Sequence, residues 1–554
     1  MIYLLLILPL LFSIILYVNY SQRNKQTKKL QEIKNKWGKP IIIKRNFKLI
    51  SQFHQNLNLA PEITLSDEIT KDIDLEELFH FIDRTNSKPG QQYLYNRLKT
   101  TTNEPILLQE LDVLAETFKE DEDLRVNLEL ELNKLNHTNA YYIQELFTTT
   151  YYALYASWLA TYIKLAGLIW IVMLTITILQ KNQFFFIITL GLTFVNFYIH
   201  YTNKSKISRY VHSIPQLHTL IQTAKKCAAL IKDKSTIKDS LNELVPLKRN
   251  LSYINFQDES KNNVSDISTG VLELIKTLLL IEPAMFLISI NRINQQKSNI
   301  QTIFNYIARI DLAISILSLR TSLPYYSKPK FKNNSSELLI EEVFHPNIAN
   351  CVPNSINAKT NQGILITGSN MSGKTTFIRS IIINALLSQT LFTSCTKSYA
   401  APFMNLFTSI RISDNLEENK SYFQAEALSI LNILNKSTEQ KSSLIIIDEI
   451  FRGTNTIERI AAAKAILSYL TAQQNFVFVS THDLELAELL GNEYCCYSFE
   501  EKVAETRLIF DYKIKPGILK NKNGIAILSF LGYPESVVHH ANEISSALRA
   551  KYNI

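Results

Sequence analysis

Residues 368–375 read Gly-Ser-Asn-Met-Ser-Gly-Lys-Thr, and this stretch decides the fold of the carboxy-terminal part of the 554-residue chain. An apolar run from Gly363 to Thr367 precedes it and predicts a buried strand, and Thr375 to Arg379 open a predicted helix. In such a strand–loop–helix, glycines let backbone N–H groups wrap around phosphates, and the helix N-terminus attracts their charge. The stretch therefore predicts an ATP site in which Lys374 reaches the β- and γ-phosphates and Thr375 ligates Mg²⁺.

Two further apolar runs end in polar residues that suit the same chemistry. Leu444 to Ile447 leads into Asp448 and Glu449, and Phe476 to Val479 is soon followed by His482. Beside a phosphate loop, Asp448 is expected to hold Mg²⁺ directly or through water, and Glu449 to orient or deprotonate the attacking water. His482 is placed to sense the γ-phosphate or that water, although an isolated histidine is more often a structural hydrogen-bonding residue. The three runs together predict ATP hydrolysis.

The pattern of the sequence changes along the chain. The earlier part has apolar residues at helical spacing, and from Leu338 onward short apolar runs alternate with helical stretches, as in an α/β domain with a parallel sheet. We therefore predict a mixed fold, with an all-α helical core or lever domain that carries transmembrane helices, followed by an α/β P-loop NTPase domain of ABC-like type. The predicted domains are a transmembrane helix over 1–20, a linker over 21–66, the first part of the helical domain over 67–150, a transmembrane hairpin over 151–203, the second part of the helical domain over 204–335 and the ATPase domain over 336–554.

Three apolar stretches predict membrane spans. Ile2 to Tyr20 carries no charge; a cleaved signal peptide is the alternative, but the positive n-region and small-residue cleavage site that it requires are absent. Leu165 to Leu179 and Phe184 to His200 are separated by four polar residues and flanked by Trp and Tyr. A buried helical hairpin in a soluble core is the alternative for this pair, but neither stretch has a polar face.

Charge predicts the orientation of these spans. Basic residues follow the first and third stretches, so the positive-inside rule places residues 21–164 and 201–554 inside. The predicted location is a bacterial inner membrane, with the ATPase domain in the cytoplasm. The formal net charge of +8 fits this rule and is also compatible with nucleic acid or an acidic membrane surface. Five cysteines without a C-x-x-C pair argue against structural zinc and for a reducing compartment.

Taken together, the motifs resemble the ATPase domain of the MutS family of DNA mismatch-repair proteins. Thr367 to Thr376 is similar to the family's T-G-P-N-M-[GS]-G-K-[ST]-T, Asp448 to Thr456 to its D-E-[IL]-G-R-G-T-S-T, and Thr481-His482 to its T-H. Ser421 to Glu426 resembles S-T-F-x-x-E, a segment that in the family helps to complete the ATP site of the partner subunit. The resemblance covers about residues 68–150 and 205–545, and it implies a homodimer formed through the ATPase domains.

The local pattern and the resemblance together give a set of predicted site residues. The predicted catalytic residues are Lys374, Glu449 and His482, and the predicted Mg²⁺ ligands are Thr375 and Asp448. The predicted ATP-binding residues are Gly368, Ser369, Asn370, Met371, Ser372, Gly373, Lys374, Thr375, Thr376 and Ser421.

The chain also departs from the family's pattern. The residues before 68 leave no room for a mismatch-reading domain, and residues 205–300 are too few for both lever helices and a full DNA clamp. The predicted membrane hairpin stands in their place. Ser369 replaces the usual Pro, and Phe451 replaces a Gly, which is expected to crowd the catalytic loop.

The leading hypothesis is a membrane-anchored, MutS-like ATPase. ATP binding would close a dimer, and helical levers would pass that motion to the membrane or to a protein partner that the sequence does not identify. One alternative is a DNA-binding repair or recombination ATPase tethered to the membrane, with lysine-rich stretches on phosphates, although a solvated helix face is the commoner explanation of such stretches. Another alternative is a non-catalytic scaffold that binds ATP to set dimer geometry, which Phe451 would favour. An ABC transporter subunit is disfavoured because the sequence contains no L-S-G-G-Q signature.

Overall fold

The computed structural model describes residues 27–60, 63–101, 104–149, 156–232, 237–247, 274–332, 335–369, 371–411, 422–437, 442–451, 455–504, 507–518, 525, 528 and 532–552. The chain divides into two compact units, each built from several segments. Unit 1 comprises residues 1–59, 83–96 and 112–319, and unit 2 comprises residues 60–82, 97–111 and 320–554. The apolar stretch from Ile2 to Tyr20, for which a membrane span is predicted, lies outside the described residues.

Helices dominate the described residues before Lys330. In chain order they are α1 (27–36), α2 (Phe47–Asn56), α3 (Asp67–Asp72), α4 (Leu75–Ile82), α5 (Lys88–Lys99), α6 (Pro105–Glu120), α7 (Glu122–Leu132), α8 (Glu145–Thr148), α9 (Ser157–Gln180), α10 (Gln183–Ile231), α11 (Lys238–Glu243), α12 (Ile281–Gln295) and α13 (Lys297–Ser322). Two of them, α1 and α2, lie within the predicted linker over 21–66, whose mixed polar sequence did not indicate helices.

Aromatic packing marks the core of unit 1. The rings of Phe53, Phe147 and Phe304 lie with centroids 5.0 to 6.3 Å apart in tilted and edge-on arrangements, which are favourable geometries for aromatic pairs. Phe304 lies on α13, and most of this helix is buried against its neighbours. Helix α13 is therefore a core helix, although its length and composition would also allow it to cross a membrane.

Helices α9 and α10 form a hairpin with a two-residue turn. Lys181 has a left-handed conformation, with φ of +46°, and ends α9. The side chain of Asn182 accepts a hydrogen bond from Phe184 N at 3.0 Å and begins α10. These are the usual means by which a chain stops one helix and starts the next, so the polar residues between the two apolar stretches form the turn of the hairpin.

The described helices that could cross a membrane differ in how much of their surface is buried. Three are long and apolar enough by composition, namely residues 157–180, 183–202 and 297–322. The most apolar window of the third is 78% buried, whereas those of the first two are only 11% and 17% buried. Large apolar side chains such as Leu168, Ile187 and Phe194 are more than 60% exposed. A continuous apolar surface of this kind needs a partner other than water.

Unit 2 contains two sheets. Its strands are β1 (Lys330–Phe331), β2 (Glu337–Val343), β3 (Asn354–Lys359), β4 (Gly363–Gly368), β5 (Ser398–Ala401), β6 (Asn405–Ser409), β7 (Ser443–Asp448), β8 (Phe476–Ser480), β9 (Tyr494–Ala504) and β10 (Arg507–Pro516). Its later helices are α14 (Lys374–Leu391), α15 (Tyr422–Lys436), α16 (Thr456–Ala472), α17 (Leu484–Leu490) and α18 (Glu535–Tyr552). The larger sheet has the order β10-β9-β4-β8-β7-β6, and the smaller has the order β1-β5-β2-β3.

The larger sheet contains the three strands predicted from apolar runs. Strands β4, β7 and β8 pair in parallel and are buried at every position, as expected for a parallel sheet covered on both faces. Strand β10, which pairs with β9 in the antiparallel direction, was not predicted, and neither was the smaller sheet. The strands concerned carry mixed polar and apolar residues and have no clear apolar run.

The segment 60–82 belongs to unit 2 by its contacts, although the predicted domains divide it between the linker over 21–66 and the helical domain over 67–150. The carboxylate of Asp72 accepts hydrogen bonds from the backbone N–H groups of Ile410 and Arg411 at 3.0 and 2.8 Å. Asp74 lies 3.2 Å from the guanidinium of Arg379 and also pairs with Arg411. These contacts fix α3 and α4 beside the end of β6 and beside α14.

Within unit 1, α5 approaches α13 closely at Gly90. The carboxylate of Asp311 is fully buried there and accepts hydrogen bonds from Ser87 Oγ, Ser87 N and Asn86 N at 2.5, 2.8 and 2.9 Å. Burial raises the pKa of Asp311 to about 6 despite these donors. A Cβ atom on Gly90 would lie 2.1 Å from Asp311 Oδ2, so the contact allows only glycine.

We expect Gly90→Ala to destabilise unit 1. Alanine favours a helix by about 1 kcal/mol, but forcing the held carboxylate aside is expected to cost at least about 2 to 3 kcal/mol. Thermal unfolding of the full chain in detergent measures the difference as a lower Tm. Gly191→Ala is the matched control, because it is a helical glycine with no atom within 4 Å of the added Cβ; equal Tm values for the two variants would contradict the account of this contact.

Candidate nucleotide-binding site

The candidate site lies at one edge of the larger sheet. Strands β4, β8 and β7 are neighbours and run in parallel, so their carboxyl ends meet at that edge. The residues that follow each strand are therefore brought together, although the three strands end at positions as far apart as Gly368, Asp448 and Ser480. This edge is where open parallel sheets usually bind ligands.

The loop between β4 and α14 turns tightly through conformations that favour glycine. Gly373 has φ of +106° immediately before the helix. A Cβ atom on Gly368 would lie 2.8 Å from Ser372 Oγ and 2.9 Å from the Phe499 carbonyl oxygen. Ser372 is buried and donates a hydrogen bond to Ser369 O at 2.8 Å, which closes the loop on itself. The loop therefore has the tight backbone turn that its glycine residues predict.

Lys374 begins α14 and folds back over the loop. Its Nζ donates hydrogen bonds to the carbonyl oxygens of Gly368 and Ser369 at 2.7 and 2.9 Å. The side chain is almost completely buried, so its ammonium group is fixed at the mouth of the loop. A buried cation in this place attracts phosphate oxygens more strongly than it would in water.

Thr375 and Asp448 present two oxygen atoms side by side. Thr375 Oγ1 donates a hydrogen bond to Asp448 Oδ2 at 2.9 Å, and Ser480 Oγ donates to the other carboxylate oxygen. Mg²⁺ usually binds to one or two protein oxygens and completes its shell with water and phosphate oxygens. The pair fits such an ion, and no cluster of three or more His, Cys, Asp or Glu residues offers another metal site among the described residues.

Glu449 and His482 lie in contact with each other beside Lys374. His482 Nε2 lies 2.8 Å from Glu449 Oε1 and 3.4 Å from Lys374 Nζ. Glu449 has φ of +58°, a conformation uncommon for glutamate, and its N–H group donates to Ser480 O at 2.9 Å. A strained residue held by a neighbouring strand often occurs at a functional site, and here it aims a carboxylate at the mouth of the loop.

Two contacts that the sequence did not reveal hold residues next to the candidate site. Arg459 binds the carboxylate of Asp483 with two hydrogen bonds of 2.7 and 3.1 Å, which fixes the residue next to His482. The buried Glu426 accepts a hydrogen bond from Phe451 N at 2.5 Å. No local spacing indicates either pair, because the partners lie 24 and 25 residues apart.

The position of Phe451 differs from the expectation that it would crowd the catalytic loop. Its ring is 5% exposed and packs with Ile430, Ile433 and Ile447 in the core beneath the site. Phe423 lies against it, with ring centroids 5.4 Å apart. Phe451 does adopt φ of +61°, which a side chain disfavours. The replacement of glycine therefore strains the backbone, and the ring points into the core.

A cavity of about 430 Å³ adjoins the loop. Ser369, Met371, Gly373, Lys374, Thr375, Thr376 and Glu449 contribute to its wall. The opposite wall consists of residues 348–352, Asn354, Phe499 and Tyr512, none of which was predicted. Asn354 donates a hydrogen bond to Tyr512 O and accepts one from Ile514 N, both at 2.9 Å. Asn350 and Pro353 indicate a loop at this point of the sequence. Neither residue indicates that the loop contributes to the site.

The structure thus brings most of the predicted site residues to one place. At the mouth of the loop His482 contacts both Lys374 and Glu449, and Thr375 contacts Asp448. Asn370 and Ser421 lie outside the described residues, so their predicted contacts with ATP stay predictions.

Comparison with known proteins gives an independent result. Residues 364–549 match the family model for MutS domain V. The chain is 32% identical over 281 residues to the DNA mismatch repair protein MutS of Petrotoga mobilis, an alignment that covers 48% of this chain and 33% of that protein. It is 30% identical over 299 residues to the MutS of Clostridium perfringens (51% of this chain and 32% of that protein) and 32% identical over 303 residues to that of Leptospira interrogans (52% and 35%).

The alignments span only about a third of the length of these relatives. The residues that the family model matches, 364–549, include the phosphate loop from Gly368 to Thr375, Asp448, Glu449 and His482. The carboxy-terminal part of the chain is therefore similar to MutS domain V, over residues 364–549.

Proposed function

We propose that this chain is a membrane-anchored ATPase of MutS type that binds and hydrolyses ATP with Mg²⁺. The observation that carries the proposal is the convergence of a buried lysine, an oxygen pair suited to Mg²⁺ and a Glu–His pair on one phosphate-binding loop. Each group alone has commoner structural explanations. Their contact at the carboxyl edge of a parallel sheet is what a nucleotide hydrolase of P-loop type requires.

The roles of the residues follow from their positions. Lys374 would leave the loop carbonyls and bind phosphate oxygens, for which a charged partner is stronger than a neutral carbonyl. Thr375 and Asp448 would hold Mg²⁺, which neutralises developing charge on the phosphates. Glu449 would orient a water molecule and accept its proton, while His482 holds the Glu449 carboxylate in place. The ABC-like arrangement of the domain is part of this proposal.

The hairpin of α9 and α10 supports the membrane anchor. Its apolar surface is exposed along both helices, and its length suits a bilayer. Side-chain hydrogen bonds between the helices, such as Trp170 Nε1 to Thr193 Oγ1 at 2.9 Å, satisfy the polar groups that lipid cannot. Basic residues after the hairpin favour an orientation with the turn outside and the ATPase unit inside.

Dimerisation would couple the site to motion. In this proposal ATP closes a homodimer of ATPase domains, and the helical part acts as a lever toward the membrane or a partner protein. The relatives named above are DNA mismatch repair proteins, and this supports DNA as the second candidate substrate. The core position of Phe451 weighs against the non-catalytic scaffold, because its ring does not line the cavity.

We expect Lys374→Ala to abolish most ATP binding and to lower turnover by at least about a hundredfold, because it removes the fixed charge from the loop. Phosphate release by the purified full chain measures the effect. Lys464→Ala is the matched control, since Lys464 pairs with Glu493 at the surface of the same unit. Full turnover by Lys374→Ala would refute the assigned site.

We expect Glu449→Gln to bind ATP but to hydrolyse it at least about a hundredfold more slowly, because the amide cannot accept a proton from water. Size-exclusion chromatography with light scattering, in the presence of ATP, is expected to show that this variant accumulates as a dimer. If the native chain does not hydrolyse ATP in a single turnover, the scaffold alternative is correct. If both proteins hydrolyse ATP at the same rate, Glu449 does not have the assigned role.

We expect a cysteine at Lys181, in the turn of the hairpin, to react with a membrane-impermeant maleimide in intact cells. Gln473→Cys, exposed in the ATPase unit, is expected to react only after permeabilisation. The parent chain measures the background from its five native cysteines. Labelling of both positions only after permeabilisation would contradict the proposed spans.

A further inference from the structure

A break between two helices lies against the hairpin of α9 and α10 in unit 1. A short helix over residues 274–278 and a turn at Leu279 and Leu280 precede α12. Leu280 has φ of +48°, a left-handed conformation that a side chain disfavours. The short helix and α12 are therefore separated by a sharp change of backbone direction.

Apolar packing and a close backbone contact hold this break against α9. Leu280 is fully buried and packs with Ile163 and Ala166. A Cβ atom on Gly167 would lie 3.1 Å from the carbonyl oxygen of Leu279. Glycine at this position therefore lets the backbone of the break approach the hairpin closely.

Asn196 of α10 bonds the polar backbone of the break. Its Nδ2 donates a hydrogen bond to Leu278 O at 2.6 Å, and its Oδ1 accepts one from the hydroxyl of Tyr162 at 2.6 Å. Asn196 is fully buried. The last carbonyl oxygens of a helix have no donor within that helix, and beside lipid such groups must be bonded within the protein. Asn196 supplies that bond.

The contacts at Gly167 and Asn196 lie near one end of the apolar surface of the hairpin. Lys164 is the first charged residue of α9 counted from the turn, and Tyr198 and Tyr201 of α10 are 72% and 64% exposed. Residues of these types mark a membrane interface. Gly167 is three residues from Lys164, and Asn196 is two residues from Tyr198. At a rise of about 1.5 Å per residue, the break lies about 3 to 5 Å on the apolar side of that interface.

The short helix before the break exposes two large apolar side chains. Leu274 and Ile275 are 49% and 43% exposed, and they extend the apolar surface of the hairpin. The charged residues Lys276 and Glu282 stand on either side of the break in sequence. They limit its depth, because a charged side chain is costly at the centre of a bilayer, whereas a lysine near the interface can extend its ammonium group to the headgroups.

We propose that residues 274–280 insert into the inner leaflet of a phospholipid bilayer, beside the hairpin, with Leu274 and Ile275 against the acyl chains close to the headgroups. The occupant of this surface is lipid because the surface adjoins the exposed apolar surface of α9 and α10 at the level where their interface residues lie. The inference rests on the proposed membrane anchor and adds a second membrane contact, which ties α12 to the membrane surface.

The test measures quenching of a fluorophore by lipid in the full chain, reconstituted into phosphatidylcholine vesicles. A nitrobenzoxadiazole maleimide is attached to Ile275→Cys, and the labelled parent chain gives the background from its five native cysteines. The quenching lipids carry a doxyl group either near the headgroup or near the end of the acyl chain. We expect the first to quench at least about twofold more strongly than the second, since interfacial side chains are buried only about 5 to 10 Å deep.

Val172→Cys and Val113→Cys are the matched controls. Val172 lies in the middle of α9 and is 47% exposed, and Val113 lies on α6 of the same unit and is 66% exposed. The label at residue 172 is expected to be quenched most by the deep doxyl group, and the label at residue 113 by neither lipid. Quenching at 172 without quenching at 275 would overturn the inference and leave the membrane anchor intact.

Two other results would also count against the inference. Absence of quenching at residue 172 would refute the membrane anchor and, with it, the second contact. Equal quenching at residues 113 and 275 would show that residues 274–280 have no particular contact with lipid.

Asn196→Leu tests what holds the break in place. It removes the donor to Leu278 O, and we expect quenching at residue 275 to fall by at least about twofold, because an unbonded carbonyl group moves towards water. Thr193→Val is the matched control, since it removes the acceptor of the hydrogen bond from Trp170 Nε1 in the same hairpin and is expected to leave this quenching unchanged. Equal quenching in both variants would contradict the role of Asn196.

Discussion

The parallel pairing of β4, β8 and β7 is the constraint on which the rest of the site depends. It brings three loop regions to one edge, although their motifs are far apart in sequence. The hydrogen bond from Thr375 to Asp448 and the contact of Glu449 with His482 then follow from strand order. Because the strands are buried on both faces, a shift of register would expose apolar residues, so the hydrophobic core maintains the geometry of the candidate site.

The sequence predicted the three parallel strands β4, β7 and β8 because their signals are local. A buried parallel strand is a short apolar run, and a phosphate loop needs glycine at fixed positions, so both are visible without knowledge of the fold. The same holds for the hairpin, where two uniform apolar helices are separated by a polar turn at Lys181 and Asn182.

What the sequence did not predict depends on contacts between distant residues. Asp72 binds backbone groups of residues more than three hundred positions away, and this attaches the segment 60–82 to the unit that contains the sheets. The segment 348–352 lines the nucleotide cavity only because Asn354 is tied to β10. The side-chain direction of Phe451 was also inaccessible, since its left-handed backbone turns the ring into the core.

The two units carry different functional features. Unit 2 contains the residues that match MutS domain V and the candidate ATP site, while unit 1 contains the exposed apolar hairpin of α9 and α10. The central claim is that the site of unit 2 is a working, Mg²⁺-dependent ATPase. It is tested most directly by phosphate release from ATP by the purified native chain as Mg²⁺ is titrated. The account predicts release that rises with Mg²⁺ to saturation and stops when the ion is chelated; ATP binding without release at any Mg²⁺ concentration would contradict it.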